Sequence, residues 1–190
     1  MKKITLVSLM AIALASSNAM ADVTASATAS WDASATKDTT SDLSVTPLKS
    51  LAFQYAEGIK AFNTQKGAFD VTIKGQSGAT DFKLSSQLVS NTLSRTTDDS
   101  TLDVGVKWNG EAVTTGTPLV MIGEGKSAGL DALAVESAYA GSDRTSAQGN
   151  FDFSIDSAKA EGKTVAFSEL ADGYWSGDVR VQFTAVWTQA

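Results

Sequence analysis

The chain has 190 residues, with 21 acidic against 15 basic side chains, a formal charge of −6, and neither histidine nor cysteine. Nucleic acid is excluded as a partner, because phosphate binding rests on clustered Lys and Arg and no such cluster occurs in this sequence. Without the commonest general base and metal ligand, and without thiols for disulfides or nucleophilic chemistry, no catalytic site and no cofactor is expected, and stability has to come from packing and strand pairing.

Lys2 and Lys3 precede an apolar run from Ile4 to Ala15, followed by Ser16-Ser17-Asn18-Ala19-Met20-Ala21. A charged start, a short apolar stretch and an A-x-A site predict a signal peptide over residues 1–21, cleaved so that the mature chain begins at Asp22. A membrane anchor needs about 20 apolar residues, and the polar Ser16-Ser17-Asn18 cuts this run short. What remains is enough for one domain with a core.

From Val23 onward the apolar residues fall at every odd position: Val23, Ala25, Ala27, Ala29, Trp31, Ala33 and Ala35. Thr24, Ser26, Thr28, Ser30, Asp32, Ser34 and Thr36 occupy the even ones. Period-two alternation predicts a strand with one apolar face, and Ser and Thr at every second position oppose a helix in spite of the alanines. At about 3.4 Å per residue the segment reaches roughly 48 Å, longer than ordinary strands of about 3–10 residues. Residues 22–36 are therefore read as an arm, either pairing within its own domain or lent to a neighbour.

After the polar Lys37-Asp38-Thr39-Thr40-Ser41-Asp42, strands are predicted at Leu43 to Leu48, Phe69 to Ile73, Phe82 to Leu84, Leu102 to Trp108, Leu119 to Ile122, Phe151 to Ile155 and Val179 to Trp187. Asn109-Gly110 predicts a type I′ hairpin, which requires positive φ at both central residues. Leu130 to Tyr139 has Leu130, Leu133, Ala134 and Ala138 at helical spacing, sufficient for a turn or two of helix. Short strands at moderate spacing point to an all-β sandwich over residues 37–190.

The sequence ends shortly after Trp187, so an immunoglobulin-like sandwich lacking its last strand is expected, with an apolar groove beside unpaired backbone. The arm at residues 22–36 is the matching part, since strand addition supplies ladder hydrogen bonds and side-chain pockets together. Repeated head to tail, such a contact does not close and builds a filament. Trp31 would anchor it: burying a tryptophan removes on the order of 200 Å² from water, roughly 5 kcal/mol at about 25 cal/mol per Å² before ordering costs.

Several segments carry a resemblance: Lys37-Asp38-Thr39-Thr40-Ser41, Val45-Thr46-Pro47-Leu48, the run from Ser50 to Lys60 (SLAFQYAEGIK), Gln65-Lys66-Gly67, Arg144-Thr145 with Ala147-Gln148, Phe153-Ser154-Ile155, and Trp175-Ser176-Gly177-Asp178-Val179 with Val181-Gln182-Phe183. On these the chain resembles the major fimbrillins of the enteric common pilus, the ECP or Mat family, of the alternate chaperone–usher class. The resemblance implies a subunit held by a periplasmic chaperone and polymerised through an outer-membrane usher by donor-strand complementation. It further implies a separate tip adhesin, and support of host-cell adherence and early biofilm formation. It also implies that the chaperone pairs with the last strand, at Val179, Val181, Phe183 and Ala185. The other reading is a secreted β-sandwich binding module, carbohydrate- or receptor-directed, that closes its own fold.

Catalytic motifs do not survive their context. Gly125-Lys126-Ser127-Ala128-Gly129 fits G-x-S-x-G, but a nucleophile elbow needs a histidine base, so a Gly-rich loop is expected. Ser34-Ala35-Thr36-Lys37 matches S-x-x-K inside the alternating arm and lacks its companion motifs. Gly123-Glu124-Gly125 has Ala128 where a dinucleotide fingerprint needs glycine. Asp42 and Asp98-Asp99 lack calcium-loop spacing. Phe53, Tyr55, Phe62, Tyr174 and Trp175 are read as core packing ahead of a sugar site.

Overall fold

A computed structural model describes residues 37–190. The proposed signal peptide, the arm at residues 22–36 and its apolar row from Val23 to Ala35, Trp31 included, lie outside the described residues.

Asp38–Ala190 is an all-β unit of two antiparallel sheets around one core. The strands are β1 (Leu43–Pro47), β2 (Tyr55–Ala56), β3 (Ala61–Phe62), β4 (Gln65–Lys74), β5 (Ala79–Ser90), β6 (Thr92–Ser94), β7 (Thr101–Trp108), β8 (Glu111–Ala112), β9 (Leu119–Ile122), β10 (Arg144–Ala160), β11 (Lys163–Val165) and β12 (Arg180–Gln189). The larger sheet runs β1-β4-β10-β7-β6, with β8 beside β7 and β11 beside β10. The smaller runs β12-β5-β9, and β2 and β3 form a hairpin of their own.

Alternation explains which residues meet. On β4, Phe69, Val71 and Ile73 are buried; on β7, Leu102, Val104, Val106 and Trp108; on β10, Phe151, Phe153 and Ile155. With Phe82, Leu84 and Leu88 from β5 and Met121 and Ile122 from β9, they form the shared core. At its centre Phe69 stacks on Phe151 at 4.8 Å, and Trp108 meets both rings at 5.8 and 5.6 Å. Ring pairs at these separations add to the area they bury.

Within the described residues, each strand expected from alternation is present, several of them longer than the pattern showed. Phe82 to Leu84 is the middle of a 12-residue strand, and Phe151 to Ile155 lies within a 17-residue one. β10 is this long because its first half pairs with β4 and its second with β7 and β11, across a bulge between Ile155 and Ser157. Two strands fall short of their expected bounds: β1 ends at Pro47, leaving Leu48 outside it and exposed, and β12 starts at Arg180, so Val179 stands just before it and not in it. The register slips between Arg180 and Val181, and Ser90 Oγ donates to the Asp178 carbonyl at 3.1 Å, so the chain before Arg180 leaves the ladder.

Asn109 and Gly110 have φ of 48° and 86° and close the β7–β8 hairpin with Trp108 opposite Glu111, as a type I′ turn does. Leu130 to Tyr139 holds a 3₁₀ turn (Asp131–Leu133) and a single α turn (Glu136–Tyr139), burying Leu130, Leu133 and Ala138.

Candidate functional site

The feature that sets this domain apart from a closed sandwich is the edge at β12. Among the described residues β12 pairs only with β5, so the opposite row of its backbone groups has no ladder partner. The pairing with β5 sets Val181 beside Leu88, Phe183 beside Ser86, Ala185 beside Leu84 and Trp187 beside Phe82. Although these facing residues share one side of one sheet, the β5 members are buried while Val181, Phe183, Ala185 and Trp187 are only half-buried. Edge position alone does not produce this, since β9 at the other end of the sheet has Met121 and Ile122 buried; the half-open row belongs to β12. Among the described residues β1, at the outer end of the larger sheet, likewise pairs on one side only, with β4, and its Leu43 and Val45 are half-buried.

The rings on β12 are held firmly. Phe183 rests against Phe69 at 5.3 Å and Phe151 at 5.9 Å, and Trp187 against Phe82 at 5.2 Å. Two side-chain polar atoms on this pair of strands are shielded from solvent yet have no hydrogen-bond partner among the described residues: Ser86 Oγ, on a residue 1% exposed, and Trp187 Nε1. Buried polar atoms are normally paired. The outward row, Arg180, Gln182, Thr184, Val186 and Thr188, is exposed. The inward row, Val181, Phe183, Ala185 and Trp187, is apolar throughout and contains no titratable group.

A clamp positions the start of β12. Arg95 Nη1 donates to the Ala171 carbonyl at 2.9 Å and to Asp98 Oδ2 at 3.1 Å, with its guanidinium 5.4 Å from the centre of the Trp175 ring. Trp175 Nε1 donates to Ser100 Oγ at 2.9 Å, which donates to Asp98 Oδ1 at 2.7 Å. Ser94 and Ser176 exchange backbone bonds at 2.9 and 3.0 Å. The hydroxyl and backbone N–H of Ser100, with Arg95 adding to them, hold the Asp98 carboxyl below its ordinary range.

Of the residues expected along the last strand, Val181, Phe183 and Ala185 stand together on the open edge, with Val179 packed just before it. Trp187 completes the same row; the alternation that found the others extends to it. The clamp was not legible, because Arg95 and Trp175 lie 80 positions apart in sequence and are joined only by tertiary structure. Phe62 meets Tyr55 and Phe167 in T-shaped contacts at 5.5 Å each, whereas Tyr174, expected in the core, is 81% exposed. The Gly-rich segment is a tight turn in which Gly123 and Lys126 exchange backbone bonds at 2.9 Å, with positive φ at Glu124 and Gly125.

Comparison with known families adds what the edge alone leaves open: the family model described as "Fimbrillin MatB" matches residues 24–187. The chain belongs to the MatB fimbrillin family. This fimbrillin is 51% identical over 192 residues to the common pilus major fimbrillin subunit EcpA of Escherichia coli O127:H6, covering 98% of both chains. It is 51% identical over 172 residues to the EcpA of Klebsiella pneumoniae, covering 88% of both. Among solved structures, the CooA pilin subunit from enterotoxigenic Escherichia coli aligns with a TM-score of 0.46 at 15% identity, covering 76% of this chain and 87% of that one. The fimbrillin is thus a structural, non-enzymatic subunit of a cell-surface pilus.

Proposed function

We propose that this fimbrillin polymerises head to tail by donor-strand complementation, residues 22–36 of one copy pairing along the open edge of β12 in the next. The observation that carries this reading is the contrast across one strand pair, with the β5 side of the inward face buried and the β12 side half-open. Strand addition would supply the missing ladder and cover Val181, Phe183, Ala185 and Trp187 in one step. The contact is heterologous, so it propagates as a filament.

In this reading residues 1–21 direct export, a periplasmic chaperone occupies the β12 edge before assembly, an outer-membrane usher exchanges it for the incoming arm, and a tip adhesin caps the shaft. The filament serves host-cell adherence and early biofilm formation. The test is deletion of residues 22–36. The expected result is a body that stays soluble only with its chaperone or with an added peptide of the deleted sequence. A monomer that remains soluble and folded alone would instead identify a module that closes its own fold.

A further inference from the structure

The inward face of β12 and the apolar face of the arm each carry one exception in size. Along β12 the row is Val181, Phe183, Ala185, Trp187, in which Ala185 is the one small member. Along the arm it is Val23, Ala25, Ala27, Ala29, Trp31, Ala33, Ala35, in which Trp31 is the one ring. Resting on the strand-addition reading above, we propose that Trp31 of one copy sits directly beside Ala185 of the next, and that this pair sets the register of assembly.

Facing side chains on neighbouring strands share one layer, and a layer fills best when large meets small. With Trp31 beside Ala185, Ala29 and Ala33 fall beside Phe183 and Trp187 whichever way the arm runs, and Val181 takes Ala27 or Ala35. A slip of two residues sets the Trp31 indole against Phe183 or Trp187 and leaves alanine beside alanine, giving crowding at one layer and a void at the next. A slip of one residue turns the Ser and Thr row inward. The rings cannot move aside to accommodate a slip, since Phe183 is packed on Phe69 and Phe151, and Trp187 on Phe82. The same size trade is made one strand further in at the two middle pairs, where Ser86 sits beside Phe183 and Leu84 beside Ala185, while Trp187 lies beside Phe82 and Val181 beside Leu88.

Directly facing residues in a sheet have Cα atoms about 4.5–5.5 Å apart, within the span a disulfide bridges, and the chain has no cysteine of its own. The experiment is oxidation of full-length Trp31→Cys/Ala185→Cys protein assembled on cells, read on non-reducing gels after heating in detergent. Ala29→Cys/Ala185→Cys and Ala33→Cys/Ala185→Cys are the offset controls. The expected result is a covalent ladder from the first pair alone. A ladder from an offset pair alone overturns the register while leaving strand addition standing. Fibres with no cross-link from any pair overturn the strand contact with β12 as well. A cross-link confined to the monomer band overturns the second copy as occupant. Should loss of the indole prevent assembly, the size swap Trp31→Ala/Ala185→Trp decides: fibres from the swap where each single change gives none support the pairing, and failure of the swap overturns it.

Discussion

Gly149 on β10 offers the sharpest test of how the core supports the β12 edge. It faces inward directly opposite Phe69 on β4, and a Cβ there would lie 2.7 Å from Phe69 Cζ and 2.8 and 2.9 Å from two carbons of the Trp108 ring. Carbon contacts are comfortable at about 3.5–4.0 Å, so in Gly149→Ala two rings have to retreat by close to 1 Å. Both are buried in a cluster whose next member is Phe183 on β12, so there is no free space to absorb the shift. Overpacking of this kind costs about 1–3 kcal/mol, which at roughly 2–4 °C per kcal/mol for a domain of this size lowers Tm by roughly 2–12 °C. Thermal unfolding of the purified mature protein measures it, with Gly116→Ala as the control, since a Cβ at Gly116 meets nothing within 4 Å. Equal Tm values for the two variants would refute the claim that the cluster is close-packed against β10.

Three further outcomes are expected. Trp31→Asp sets a charge against an apolar face, so electron microscopy should find no fibres while the circular dichroism of the body is unchanged; fibres of normal length would remove Trp31 as the anchor. Gly110→Ala leaves the side chain in open space but at a φ of 86°, a left-handed strain of about 1–2 kcal/mol, seen as a lower denaturant midpoint with an unchanged slope. Asp98 titrates below its ordinary value of 3.8. The unfolded chain therefore takes up the proton first, and the clamp's contribution, complete above that range, is lost as pH falls through the folded value. Stability measured between neutral pH and pH 3 should fall more steeply for the wild type than for Asp98→Asn, and parallel curves would exclude Asp98 as the source.

The local elements were legible because their causes are local. Asn109-Gly110 meets the dihedral demands of one turn whatever surrounds it, and the alternation in β4, β7 and β12 reports a two-sided environment residue by residue. The same alternation predicts a strand for residues 22–36, which lie outside the described residues, and the family was legible on runs such as SLAFQYAEGIK. β2, β3, β6 and β11 escaped notice because two or three residues are too few for a period to show, and β8 was implied only by the hairpin turn before it.

Pairing was a different matter, since period two tells a strand which face is apolar but not which neighbour it takes. That β12 joins β5, 90 to 110 positions earlier, and among the described residues takes no ladder partner on its other edge depends on how both sheets close over the Phe69, Phe151 and Phe183 rings. The sequence by itself therefore determined a chain of short strands, which face of each is apolar, and the fimbrillin family it belongs to. Only the tertiary structure decided that Ala185 stands as a gap between two pinned rings on an open edge, because a gap is a property of packed neighbours, not of any one residue.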